Sequence, residues 1–134
     1  MLISAKKLLA LVLAMVCLCG CFRAKVDYGQ SELYSLEERE AAVAIILAEF
    51  NTWEGCRLHR LAYMGDECNS EKNIEWMQSL GGKEYTQCIA FTSNFHSPVL
   101  GGGAWNTNEE YRGWTWYLGR TEGGAWELLT YGFG

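Results

Sequence analysis

The sequence predicts an α+β domain: a curved antiparallel sheet of about four strands packed on a long N-terminal helix, with a second, short helix. Three observations carry this expectation. Tyr111 to Phe133 reads as two strands joined at Glu122-Gly123-Gly124, because aromatic and β-branched residues suit a half-buried pleated surface and adjacent glycines allow a tight turn. Ser35-Leu36-Glu37-Glu38 has the spacing of a capping box and opens an amphipathic run. Between these ends the pattern alternates strand, helix, strand, which places both helices on one face of an antiparallel sheet.

The first helix runs from Leu36 to about Thr52. Leu36, Val43, Ile46, Leu47 and Phe50 recur at helical steps to form its apolar face, and Gly55 ends it. Cys56 to Met64 is the first strand, and Asp66 to Ser70 turns the chain. Ser70 to Leu80 forms the second helix, with Ile74, Met77 and Leu80 on one side and Gly81-Gly82 as its stop. In the strand Glu84 to Phe95, Tyr85, Ile89, Phe91 and Phe95 share one face, and Thr86, Cys88, Ala90 and Thr92 the other. His96-Ser97-Pro98 breaks that strand, and Val99 to Asn108 reads as a long flexible loop leading to the hairpin.

Residues 1–20 have a different organisation. Lys6 and Lys7 precede an apolar run from Leu8 to Leu18, the layout of a secretory signal and too short for a stable membrane span. Leu18-Cys19-Gly20-Cys21 resembles a bacterial lipobox, which implies that Cys21 is diacylated and becomes the first residue of the mature chain; an ordinary signal peptide cut nearby is the alternative. Two acyl chains anchor a protein stably where one does not. Residues 21–31 then read as a lipid-anchored tether and 32–134 as the single domain. The expected location is the extracytoplasmic face of the cell membrane, with the membrane reached through the anchor at Cys21.

Removing Lys6 and Lys7 with no acidic residue takes the net charge from −5 to about −7. That sign argues against nucleic acid, which is bound by concentrated lysine and arginine, and against adhesion to anionic lipid beyond the anchor itself.

The lipobox, the early amphipathic helix and the closing strand pair at Trp126 to Phe133 together resemble a family of small bacterial lipoproteins of unknown function. The resemblance covers roughly Ser31 to Gly134. It implies a nuclear transport factor 2-like or cystatin-like fold and an envelope location, and it transfers no catalytic residues.

Candidate site residues are few. His59 and His96 can act as general bases with Asp66, Glu109 or Glu110, with Tyr111 as helper, and His96 is favoured because it stands at a strand end beside Gly101-Gly102-Gly103. Trp105 in the loop is the preferred marker of a binding mouth, with His96, Tyr111 and Trp114 as its companions, while the core against Val43, Leu47 and Phe50 is the favoured place for Trp114, Trp116 and Trp126. The three remaining cysteines, Cys56, Cys68 and Cys88, permit one disulfide or none. Ligand spacing for a metal is missing, as are the dinucleotide, Walker-type and Gly-x-Ser-x-Gly patterns, so neither cofactor nor metal is expected. The leading expectation is a non-enzymatic binding or interaction module for a small ligand, a cell-wall component or a protein partner. The alternative is a small pocket enzyme of the nuclear transport factor 2-like type that uses His96 with a carboxylate.

Overall fold

A computed structural model describes residues 24–101 and 103–133; the signal segment and Cys21 lie outside the described residues. The chain forms β1 (Lys25–Asp27), α1 (Leu36–Phe50), β2 (Arg57–Tyr63), a 3₁₀ turn (Asp66–Cys68), α2 (Glu71–Gly81), β3 (Gln87–His96), β4 (Glu110–Arg120) and β5 (Glu127–Phe133). This is an α+β arrangement with a five-stranded sheet in the order β1-β2-β3-β4-β5. β1 pairs parallel to β2, and the other three pairings are antiparallel. The sheet is therefore mixed and one strand larger than expected.

The additional strand comes from the segment read as tether. Lys25 lies opposite Arg60, Val26 opposite Leu61 and Asp27 opposite Ala62, and only Val26 reaches the core. A three-residue strand with one inward side chain leaves almost no periodicity to read.

α1 begins where the capping box requires: Ser35 Oγ accepts from the Glu38 amide and the Glu38 carboxylate accepts from the Ser35 amide. Its buried face is Arg39, Ala42, Val43, Ile46, Leu47 and Phe50, whereas Leu36 is half exposed. Arg39 is buried because its guanidinium donates to the Tyr28 and Gly29 carbonyls, tying the chain after β1 to the helix. α1 covers the sheet face built from Leu58, Leu61, Ile89, Phe91, Phe95, Trp116 and Leu118.

α2 packs on the opposite face, where Met77 and Ile74 meet Cys88, Tyr117 and Leu129. The helices are thus not segregated on one side, since apolar spacing identifies a buried face but not which side of a sheet receives it. Tyr85 joins this second cluster and not the α1 face. Among the described residues both clusters are drawn from the stretch between Ala24 and Leu129, which supplies a continuous core on each side of the sheet.

The sheet is irregular at three places: between Leu58 and Arg60 in β2, beside Gly113 in β4, and between Tyr117 and Leu118 at the β4–β5 pairing. Gly113 has φ +73°, a conformation open to glycine without strain, and its extra residue lets Tyr111 and Trp114 both face α1. The segment Val99 to Asn108 is pinned: Ser97 Oγ donates to the Asn106 carbonyl and accepts from the Glu109 amide, and the Asn108 amide donates to the Pro98 carbonyl. These bonds fasten the two ends of the segment to each other.

Candidate functional site

Beyond the part that α2 covers, the second sheet face is open and polar. β3 alternates Thr92, Asn94 and His96 onto this side while Phe91, Ser93 and Phe95 point to α1. Register places Arg57, His96 and Glu110 side by side on three strands, and Arg60, Asn94 and Arg112 on the next row. The irregularity in β2 supplies His59 to the same face.

Glu110 is the centre of this group. Its two oxygens each accept from one imidazole, Oε1 from His59 Nδ1 and Oε2 from His96 Nδ1, both at 2.9 Å. The two rings lie nearly parallel with centroids 6.2 Å apart. His96 Nε2 is 2.7 Å from Asn108 Oδ1, and Asn108 holds φ +50° at the strand entry, a left-handed conformation that asparagine tolerates. The hydrogen bonds to Asn108 and Glu110 favour the protonated His96 ring and raise its pKa above the usual 6.5. Burial pushes the Glu110 carboxyl up, but the hydrogen bonds from His96 and His59 outweigh it and hold the group below its ordinary range. His59 has 47% of its side chain exposed, and its Nε2 makes no hydrogen bond among the described residues.

Of the carboxylates weighed as partners, the structure therefore selects Glu110. Asp66 is occupied elsewhere, accepting from Ser31 Oγ, Tyr63 Oη and the Glu32 amide, and Glu109 accepts from Asn106 Nδ2. Asn108 was not legible as a participant, because only folding of the 98–109 turn brings it to His96.

The sheet divides the expected binding set. Trp105, Tyr111 and Trp114 lie on the α1 side, and His96 lies on the other. On the α1 side the aromatics form one packed group around Trp53, which stacks on Trp116 at 5.0 Å and also touches Phe50, Phe95, Trp105, Trp114 and Tyr131. Trp105 is half-buried against Trp53, Phe95, Tyr111 and Trp114, so it closes the end of the core and does not stand at an open mouth. Tyr111 stacks on Phe95 at 4.9 Å, and its hydroxyl accepts from the Asn106 amide. The Trp114 indole N–H is buried without a partner among the described residues. The group reaches solvent at Tyr131 and at Phe133, the latter 65% exposed.

Trp116 is fully buried and donates to Ser93 Oγ at 2.8 Å, and Trp126 is buried with its N–H on the Glu38 carbonyl. Tyr34 and Trp126 meet edge to face, and Arg120 lies over both rings with its guanidinium on Glu38. Cys56, Cys68 and Cys88 are all free thiols. Burial pushes the Cys88 thiol up to about 12. Among the described residues no group of three or more His, Cys, Asp or Glu side chains is placed to hold a metal ion. A surface depression of about 450 Å³ between Lys83, Glu84, Tyr85, Thr121, Ala125 and Glu127 is bordered by the Lys83–Glu127 ion pair and lies away from both groups.

Fold and site define an α+β domain with a filled aromatic side and a polar side organised on one carboxylate. The chain matches no family model, no curated protein and no solved structure. No helix among the described residues is long and apolar enough to cross a membrane.

Proposed function

We propose that the protein is a lipid-anchored, extracytoplasmic binding or interaction module that works by presenting a surface, not by enclosing a ligand. The observation that carries this reading is the filled interior. Ile46, Leu61, Ile89, Phe91, Phe95, Trp116 and Leu118 are all completely buried between sheet and α1, and Trp53 and Trp105 close the end where a mouth was expected. A ligand site is ordinarily a preformed apolar concavity with a few convergent polar groups. Here the polar groups stand on an open sheet face. The long first helix packed along the sheet supports a nuclear transport factor 2-like or cystatin-like plan, while the parallel β1 and the second helix on the other face depart from the simplest version of it.

The test is a thermal-shift and tryptophan-fluorescence screen of the domain against cell-wall sugars, peptides and small apolar ligands. The expected result is no shift with the small apolar ligands. A blue-shifted emission with a raised melting temperature, removed by Trp105→Ala, would establish an internal site and overturn the reading.

One observation favours a second reading, acid/base catalysis. A histidine oriented through Nδ1 by a carboxylate is the usual arrangement of a general base, and His59 and His96 both have it. His59 is the better placed of the two, because its side chain is half exposed and its Nε2 makes no hydrogen bond among the described residues, while that of His96 is taken by Asn108. Hydrolysis of an ester panel that disappears in both His59→Gln and Glu110→Gln would support it.

A further inference from the structure

The open sheet face concentrates positive charge in a chain whose net charge is negative. Among the described residues Arg39 and Arg120 are buried, and of the six other lysines and arginines four stand on this face: Lys25, Arg57, Arg60 and Arg112. Lys25, Arg60, Asn94 and Arg112 form one row across four strands, about 14 Å wide at the usual strand spacing. Arg57, His96 and Glu110 form the next row, with His59 alongside. Two acidic residues neighbour these positions and both are engaged: Asp27, one row further along opposite Ala62, pairs with Arg60, and Glu110 pairs with the two histidines.

The path by which the chain enters the sheet brings this face toward the anchor. β1 runs parallel to β2 and starts at Lys25 opposite Arg60, so its upstream end faces the Arg57 end of the sheet. Cys21 is four residues before Lys25, a reach of at most about 14 Å. An acylated Cys21 therefore holds this end of the sheet close to the lipid headgroups, where the surface potential decays within about 8 Å at physiological ionic strength.

We propose that Lys25, Arg57, Arg60 and Arg112 form a docking face for the anionic phosphate headgroups of the membrane in which the chain is anchored. The proposal rests on the lipid-anchor reading for its geometry, and it names the first surface the module meets. It replaces the expectation, drawn from net charge alone, that the domain avoids anionic lipid.

The chain from Phe22 onward, which carries no acyl group, reads the surface by itself. Vesicles of phosphatidylcholine with about one third phosphatidylglycerol should bind it, and pure phosphatidylcholine should not. Each basic residue at such a surface contributes about fivefold, so Lys25→Gln/Arg57→Gln/Arg112→Gln should weaken binding on the order of 100-fold. Lys25→Arg/Arg57→Lys/Arg112→Lys should retain it, and Lys72→Gln/Lys83→Gln, which removes two charges elsewhere, should change it less than about twofold. Equal binding to both vesicle types, or equal loss in the Lys72/Lys83 variant, overturns the proposal. Full competition by inorganic phosphate would reassign the face to a free phosphate ligand, and equal affinity for single-stranded DNA would reassign it to any polyanion; either result also overturns it. Acyl labelling of the full chain reads the anchor separately, so vesicle binding can fail while the anchor stands, and the reverse.

Discussion

Replacing Trp53 by alanine tests whether the α1 side of the sheet is filled as described. Trp53 lies just past the C-terminus of α1 and contacts six other aromatic rings, including a near-parallel stack on the fully buried Trp116. Truncating a fully buried tryptophan costs about 3–5 kcal/mol. Trp53 is half-buried, which lowers the transfer contribution, while aromatic pairs add about 0.5–1.5 kcal/mol each beyond area. These opposing corrections place the loss near the lower bound, at about 3 kcal/mol. With a denaturant slope of about 1.5 kcal/mol per molar urea for a domain of this size, the unfolding midpoint should fall by roughly 2 M. Trp53→Phe, which keeps one ring in the cluster, should cost about 1 kcal/mol. Far-UV circular dichroism is the appropriate probe, because the substitution removes a fluorophore. A loss below about 1 kcal/mol for Trp53→Ala with an unchanged slope would refute the reasoning, since the cluster would then tolerate a cavity at its centre.

Other outcomes follow from named contacts. Arg120→Met removes a buried guanidinium that serves Glu38 and Gln87 and lies over Trp126, and should destabilise by about 2–3 kcal/mol, less than for a fully buried pair because Glu38 is partly exposed; a denaturation midpoint unchanged from the native chain would contradict this. His96, followed by NMR, should titrate above 6.5 and move down in Glu110→Gln. Because the folded pKa of His96 is raised, its contribution to stability is present below 6.5 and lost as pH rises through the folded value; Glu110 is lowered, so its contribution is present above 4.5 and lost as pH falls through its folded value. The group should therefore stabilise most between those two limits, and a flat stability profile on the acid side of neutrality would argue against it. Cys88, buried with its thiol pushed up to about 12, should resist a thiol reagent until the protein unfolds, whereas rapid labelling in native buffer would show that α2 does not cover it.

The parts of the fold legible in the sequence are those with local chemistry. The Ser35 capping box and the turn at Glu122-Gly123-Gly124 appear where residue type demands them, because caps and turns are satisfied by neighbours in the chain. Non-local placement was not legible. β1 contributes one inward residue, too little for a pattern, and the side of the sheet taken by α2 depends on the whole packing. Trp53 belongs to no periodic segment, and nothing local marks it as the centre of an aromatic group. His96 was legible as a candidate, yet Glu110 could be separated from Asp66 and Glu109 only through strand register. Net charge, an average over the chain, carries no information on placement, so it could not show that register gathers Lys25, Arg57, Arg60 and Arg112 on one face.

The central claim, a module held at the membrane by its N-terminal cysteine, is tested most directly by intact-mass and N-terminal analysis of the protein purified from a bacterial membrane fraction. The expected result is a chain beginning at Cys21 that carries a diacylglyceryl group, and loss of both the acyl mass and the membrane association in Cys21→Ser. An unmodified chain, or a Cys21→Ser variant that keeps its acyl label, would contradict it.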